Sequence, residues 1–260
     1  MKIVILAAGK GSRLGSITKK IPKTLVTICE KPIIDYQLEV LDAAGIEEKD
    51  IIVLCGYKEK VLRERYKERD IQFISNVEYE NTNMVYTLMC IKDLLKREDE
   101  VIVCYGDIIY DISVFEKVYE ACDPISVVVD TGWKAYWEER FSNPLEDAES
   151  LRIDGKDNII SIGQKVETIE EIQAQFIGLI KLKGDGLKQI CEYYERIKKK
   201  ENVCTGSFRN MYMTDFLQGL VNDNIKIRAI KIKRKWYEVD SAEDIVIAER
   251  AKAELRSFVD

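Results

Sequence analysis

The chain begins with an apolar, β-branched run, Lys2-Ile3-Val4-Ile5-Leu6, that passes directly into Ala7-Ala8-Gly9-Lys10-Gly11-Ser12-Arg13-Leu14-Gly15. The run reads as a buried strand, and its exit constrains what can follow. Small residues and glycines let backbone N–H groups approach a ligand with no Cβ in the way. Arg13 and then Lys23, within Ile21-Pro22-Lys23-Thr24-Leu25, place two cations beside that loop. Bare backbone donors with adjacent cations are what a polyphosphate requires. We expect a nucleoside triphosphate at the C-terminal edge of the first strand, contacted by Leu6, Ala7, Ala8, Gly9, Gly11, Ser12 and Arg13.

Two better-known phosphate loops fit poorly. The glycine spacing Gly9-x-Gly11-x-x-x-Gly15 is one residue off the dinucleotide fingerprint, and the next apolar run, Asp50 to Cys55, leads into Gly56-Tyr57 rather than a ribose-binding acid. No segment supplies the G-x-x-x-x-G-K-[ST] of a P-loop. A glycine-rich turn with no ligand is the plainer alternative, which Arg13 and Pro22-Lys23 weaken.

From Met1 to about Val129 apolar runs alternate with amphipathic stretches. Strands are expected at 3–6, 51–54, 71–74, 101–104 and 126–129, and helices at 33–44, 57–66, 83–96 and 113–122. This rhythm implies right-handed βαβ units: an α/β fold, with a Rossmann-like, mostly parallel sheet covered by helices on both faces. Ligands on such sheets lie beyond the carboxyl ends of the strands. From Asp130 to about Lys183 shorter strands and turns prevail, and Asp154-Gly155 and Gly163 suggest a hairpin leaving the main sheet. The remainder returns to helices at 187–199 and 212–221, two strands and a closing helix. Ser241-Ala242-Glu243-Asp244 resembles a capping box for that helix. One domain over 1–260 is expected: a nucleotide-binding core at 1–129, a small β-rich acceptor-binding insertion at 130–183, and 184–260 completing the core.

Composition narrows the chemistry. With no histidine in 260 residues, imidazole bases, Ser-His pairs and histidine metal ligands are excluded. Carboxylates, cations, amides and an oxygen-liganded metal remain. A net charge of −6 gives no basic field for nucleic acid. Seven cysteines without C-x-x-C spacing suit a reducing cytoplasm. The first apolar run is too short for a secretory signal, and no segment approaches a membrane span.

Tyr105-Gly106-Asp107 follows one expected strand and Trp236-Tyr237-Glu238-Val239-Asp240 ends another. Two carboxylates at separate strand ends can hold one Mg²⁺, which favours hard oxygen ligands. Either acid alone could instead serve a turn or, for Asp240, a helix cap.

LAAGKGSRL followed by IPKTL resembles the signature of nucleotidylyltransferases that activate sugar phosphates and related phosphates. That family carries a nucleotide-diphospho-sugar transferase type of fold. Its metal ligands are the aspartate of a G-D motif and a later aspartate, positions held here by Asp107 and Asp240. The resemblance implies Mg²⁺, an NTP substrate and, often, a homodimer. It also implies attack of an acceptor oxygen on the α-phosphorus of the nucleotide, with pyrophosphate leaving. A phosphate or phosphonate with a second pKa of about 6 is already ionised at neutral pH and needs no general base. The expected catalytic groups are Arg13 on the triphosphate, Lys23 on the α-phosphate and incoming oxygen, and Asp107 on the metal.

Gly56 and Tyr57 match the family's base-contacting segment. Where sugar-nucleotide enzymes carry a glycine-rich motif, this chain has Asn81-Thr82-Asn83-Met84-Val85-Tyr86-Thr87-Leu88, resembling phosphocholine and phosphonate cytidylyltransferases. Amides at Asn81 and Asn83, with Thr87, could read a pyrimidine edge, although asparagine at a helix start also serves as a cap. Further on, Asp130, Trp133, Arg140, Glu149, Gln173, Gln175, Tyr212 and Asp215 lie in stretches resembling cytidylyltransferase domains of phosphonate and capsular phosphoramidate metabolism. Aromatics with a cation, acids and amides suit a small acceptor of mixed charge. The aromatics at 133, 136 and 137 equally fit one buried helical face. CTP and phosphoglutamine, an aminoalkylphosphonate or phosphocholine are the expected substrates, in activation of a surface-glycan or capsule substituent. A sugar-1-phosphate enzyme and a nucleotide-binding regulatory protein remain alternatives.

Overall fold

The computed structural model describes residues 1–201 and 208–252. Seven strands form the main sheet. They are β1 (Lys2–Ala7), β2 (Ile51–Cys55), β3 (Gln72–Ser75), β4 (Glu100–Tyr105), β5 (Ile125–Asp130), β6 (Gln175–Lys183) and β7 (Arg228–Ile232). Their spatial order is β7-β5-β6-β4-β1-β2-β3, parallel except for β6, which runs antiparallel to both neighbours. The expected α/β class and mostly parallel sheet are therefore found.

Both faces of the sheet are buried, so its strands read as near-continuous apolar runs. Ile3, Ile5, Ile102 and Cys104 face a core shared with Ile34, Leu38 and Leu41 of the helix Ile33–Ala43 and with Phe115. Val4, Leu54, Val101 and Val103 face an opposite core with Leu88, Ile190, Phe216 and Leu220. The register Leu6↔Tyr105 and Ala7↔Cys55 aligns the carboxyl ends of β4, β1 and β2 at one edge. Gly9, Gly56 and Asp107 all emerge there.

Two expectations need correction. The stretch 130–183 is not a unit apart from the sheet, because β6 lies between β5 and β4. Lys181 and Lys183 disguise it as a surface segment. Lys181 is in fact 2% exposed, with its Nζ 2.5 Å from the Tyr119 carbonyl and 3.2 Å from Glu100. The register of β6 shifts between Phe176 and Ile180. Gly178 there adopts φ +84°, and a Cβ would lie 2.5 Å from Cγ of Tyr105. The second correction concerns the helix expected at 83–96. It is two helices, Met84–Met89 and Lys92–Leu95, divided where Ile91 leaves helical geometry at φ −107°, ψ 22°.

The hairpin exists as Leu151–Ile153 with Ile159–Ile162. Asp154 closes its turn by accepting from the N–H groups of Lys156 and Asn158 at 2.8 Å. The capping arrangement is present too: Ser241 Oγ accepts from Asp244 N at 3.1 Å, and Asp244 accepts from Ser241 N at 2.9 Å. Among the described residues no helix is long and apolar enough to cross a membrane.

Candidate active site

The loop after β1 folds over itself before the chain reaches Lys23. Leu14 N and Thr18 Oγ1 donate to the Gly11 carbonyl at 3.1 and 2.9 Å. Tyr57 N donates to Ala8 O at 3.1 Å and Tyr57 Oη to Thr18 O at 3.0 Å. The turn after β2 is thereby fastened to the loop after β1, so Gly56 and Tyr57 brace the glycine-rich loop.

The acids arrive from two further elements. Asp107 follows β4, and the short strand Trp236–Glu238 pairs antiparallel with Ile108–Tyr110, setting Glu238 opposite Ile108. Val239 N donates to Asp107 O at 2.9 Å. One carboxylate oxygen from each of Asp107, Glu238 and Asp240 lies within 4.8 Å of the others.

Cations close the cluster. Lys23 Nζ donates to Asp107 Oδ2 at 2.7 Å and also to Asp240. Arg13 Nη2 donates to Asp240 Oδ2 at 2.5 Å, and Arg13 Nη1 is 3.9 Å from Asp147. Burial opposes the charge on Lys23, but Asp107, Asp240 and Glu238 more than offset it and hold its pKa above the ordinary lysine range. Burial would likewise raise Asp240, yet Lys23 and Arg13 keep it below the usual carboxylate range. Glu238 behaves oppositely: burial, then the negative charges of Asp240 and Asp107, push it up to about 8.

The donor set fits a hard divalent cation. Three carboxylates converge, and Asp107 Oδ1 is buried without a hydrogen-bond partner among the described residues. Asp107 and Asp240 were the ligands expected from sequence; Glu238 was overlooked. Its signal was present, since Glu238 and Asp240 are two apart on an extended segment and so share a face.

A cleft runs from this cluster along Leu6, Ala7, Ala8, Gly9, Lys23, Thr24, Tyr79, Thr82, Asn83, Met84, Thr87, Tyr105, Gly106 and Asp107. Asn83 and Thr87 thus line the cleft. Asn83 also caps its helix, accepting from Met84 N at 2.8 Å, and Thr87 Oγ1 accepts from Asn76 Nδ2 at 2.9 Å. Exposed Asn81, at the end of the turn Tyr79–Asn81, is not a lining residue, and Gly11, Ser12 and Arg13 lie on the loop beyond it. Thr24, Tyr79, Thr82, Met84 and Tyr105 are lining residues that were not among the expected contacts.

Four expected acceptor contacts are placed elsewhere. Asp130 is fully buried and accepts from Gly132 N at 2.8 Å, Arg234 N at 2.9 Å and Trp236 Nε1 at 2.9 Å. Trp133 is buried edge-on against Trp137. Arg140 has 1% side-chain exposure and donates to Glu238 and Asp244 at 2.8 Å each. The rings of Tyr136, Trp137 and Phe141 surround its guanidinium at 5.3, 5.4 and 5.1 Å. Gln175 is buried and donates to the Glu149 carbonyl at 2.6 Å.

The physical reason is common to most of them. A three-residue strand that ends in one acid and leads directly to a second has little pairing of its own. Asp130 ties down the turn before it, Arg140 holds Glu238, and Tyr136 Oη accepts from Glu238 N at 2.9 Å. These residues serve the site from behind. Of the others, Glu149 is half-buried, its carboxyl raised by burial against an opposing Thr214 hydrogen bond, with Asp215 close by. Tyr212 and Asp215 are exposed. Gln173 is exposed as well, and its Oε1 accepts from Ile153 N at 2.6 Å on the hairpin.

Comparison with known proteins bears on this geometry. The family described as nucleotidyl transferase matches residues 2–130. Over 252 residues the chain is 39% identical to the CTP:phosphoglutamine cytidylyltransferase of Campylobacter jejuni subsp. jejuni serotype O:2, covering 95% of this chain and 98% of that one. It is 30% identical over 246 residues to a bifunctional sugar-1-phosphate nucleotidylyltransferase/acetyltransferase of Sulfurisphaera tokodaii, covering 95% of this chain and 54% of the relative. A CTP:phosphocholine cytidylyltransferase structure from Streptococcus pneumoniae superposes with a TM-score of 0.71 at 21% identity, covering 96% of this chain and 98% of that one. An inositol-1-phosphate CTP transferase from T. maritima gives 0.76 at 16% identity, covering 100% and 97%. The structural likenesses establish the fold, and the sequence relationship establishes the lineage: this chain belongs to the nucleotidyl transferase family.

Proposed function

We propose that the protein transfers CMP from CTP to a small phosphorylated or phosphonate acceptor, phosphoglutamine first among the candidates, and releases pyrophosphate. The observation that carries this reading is 39% identity, over 98% of its length, to a CTP:phosphoglutamine cytidylyltransferase. The cleft supports it, since the small-residue loop, Lys23 and the acid cluster meet at one sheet edge.

An acceptor oxygen forms the new bond to the α-phosphorus while the α–β bridging bond breaks and its electrons leave with pyrophosphate. Arg13 and Lys23 neutralise the phosphates, with Lys23 beside the α-phosphate and incoming oxygen. The N–H groups from Leu6 to Ser12 cradle the triphosphate. Asp107 and Asp240, with Glu238, would hold Mg²⁺, which supplies charge neutralisation on the triphosphate when bound. Asn83 and Thr87 face the cytosine. Glu149, Gln173, Tyr212 and Asp215 form the acceptor side, the acids suiting an amino or ammonium group. The setting is a cytoplasmic step that activates a surface-glycan or capsule substituent, by a chain that pairs as a homodimer.

Pyrophosphate release tests this reading, with Mg²⁺ and the four NTPs crossed against phosphoglutamine, aminoethylphosphonate, phosphocholine and glucose-1-phosphate. Turnover confined to CTP and one non-sugar acceptor is expected. Turnover with glucose-1-phosphate would place the chain with the sugar enzymes, a reading that the Asn81–Leu88 segment disfavours.

A further inference from the structure

The Asp107 turn is held by an amide with no counterpart in the reaction. Gln37 lies on the helix Ile33–Ala43, is 1% exposed, and faces the site from within the core. Its Nε2 donates to Tyr105 O at 2.8 Å and to Ile108 O at 2.7 Å. These two carbonyls bracket Gly106-Asp107. The same amide's Oε1 is buried with no partner among the described residues.

That imbalance is informative. A leucine or methionine would fill the space without burying an unpaired oxygen. The amide adds two donors at a fixed separation, one on each side of the two-residue turn. The turn is confined from other directions too. Gly106 N donates to Leu6 O at 3.0 Å, and a Cβ on Gly106 would meet Leu6 O at 2.6 Å and Thr24 Cγ2 at 2.7 Å. The Asp107 side chain has one partner that would steer it, Lys23 on Oδ2, while Oδ1 is unpartnered among the described residues. The direction of Oδ1 is therefore set by the backbone that carries it, and Gln37 fixes that backbone.

We propose that Gln37 is a positioning residue for Asp107, holding the Tyr105–Ile108 turn so that the carboxylate faces the shared acid site. The inference rests on the reading of Asp107 as a metal-binding group in nucleotidyl transfer. Groups that orient metal ligands are typically worth about 10- to 100-fold in affinity or activity.

Mn²⁺ titration followed by electron paramagnetic resonance tests this on the full chain without knowledge of the acceptor. In Gln37→Met the Mn²⁺ dissociation constant is expected to rise about 10-fold, with kcat falling by about 10- to 100-fold and the acceptor KM within about twofold of wild type. Leu38→Ala, one residue along the same helix, should lower the melting temperature and leave Mn²⁺ affinity alone. If Gln37→Met does not accumulate as folded protein, Gln37→Leu carries the same test, because it too has no donor for either carbonyl. Wild-type Mn²⁺ affinity in a folded Gln37 variant would overturn this proposal alone. Absence of Mn²⁺ binding by the unaltered protein would overturn it together with the acid-site reading. An equal loss of affinity in Leu38→Ala would reduce Gln37 to general support of the fold.

Discussion

The two walls of the cleft are built differently. The acid wall is made of buried groups that brace one another: Gln37 behind Asp107, Arg140 and Tyr136 behind Glu238, and Asp244 capping Asp240. The opposite wall, from Tyr79 to Thr87, is largely half-exposed and held by short local bonds such as the Asn83 cap. Fixed charges aimed at phosphates act through preorganisation, so misplacement there is costly. A base is read through hydrogen-bond edges and shape, which tolerate adjustment. The contrast makes the acid wall the place where single substitutions do most damage.

The largest effect is expected at Arg140, which no ligand needs to touch. Arg140→Met strands the buried Asp244 carboxylate and removes a donor from Glu238, and removing one partner of a buried ion pair typically costs about 3–5 kcal/mol. Urea unfolding should show that loss. A variant of wild-type stability with a raised acceptor KM would return Arg140 to the acceptor site. Next come the groups proposed to act on the phosphates and the metal. Lys23→Ala and Asp107→Ala should each lower kcat at least about 100-fold, about 2.7 kcal/mol of transition-state stabilisation. Near-wild-type turnover in steady-state assays of either would break the assignment.

A pH-dependent effect comes from Glu238. Its folded-state pKa is raised to about 8 from the ordinary 4.5, by burial and then by Asp240 and Asp107. A raised folded pKa contributes stability that is fully present below the unfolded value and is lost as pH rises through the folded one. Metal-free protein should therefore lose stability between about pH 5 and 8, at no more than one proton's slope, about 1.4 kcal/mol per pH unit. Carboxylates held below their ordinary values, among them Glu48, Asp50, Glu59 and Glu100, lose their contribution only at more acidic pH. No histidine titrates in this window, and the other acid raised by burial is Glu149. Melting curves in chelator should show a steeper decline in wild type than in Glu238→Gln, where raised Glu149 still contributes. The same decline in both would refute the assignment.

Asp107 was legible because chain topology carries the ends of parallel strands to one edge. Arg13, Lys23 and Asp240 were instead singled out by the motifs that carry the family resemblance, Asp240 following a short antiparallel strand. Arg140 and Trp133 misled for a definable reason. An aromatic set awaiting a ligand cation has the same composition as one already filled, and here the cation is the protein's own Arg140. The strand β6 was hidden by Lys181, whose charge is answered by Glu100 from a distant part of the chain. Gln37 gave no local signal at all, since its partners lie 68 and 71 residues away. Local pattern reports local constraint, and long-range pairing of a buried polar group leaves no trace in it.

The half-exposed wall offers the finest test of the contrast, because Asn83 has two separable jobs. Its Oδ1 caps the helix Met84–Met89, and its side chain lines the cleft. Asn83→Ala removes both and should cost about 1 kcal/mol of stability, typical of a lost N-cap. Asn83→Ser keeps a capping oxygen but not the amide, so its unfolding midpoint should stay near wild type. If the amide reads cytosine, both variants raise the CTP KM several-fold, by the same amount despite their different stabilities. If the residue is a cap alone, neither does, and cytosine recognition must come from backbone groups around Gly56 and from Thr87. Steady-state KM for CTP, measured beside the unfolding midpoint of each variant, separates the two outcomes. The first would mean that even the yielding wall of the cleft contains one side chain fixed for chemistry.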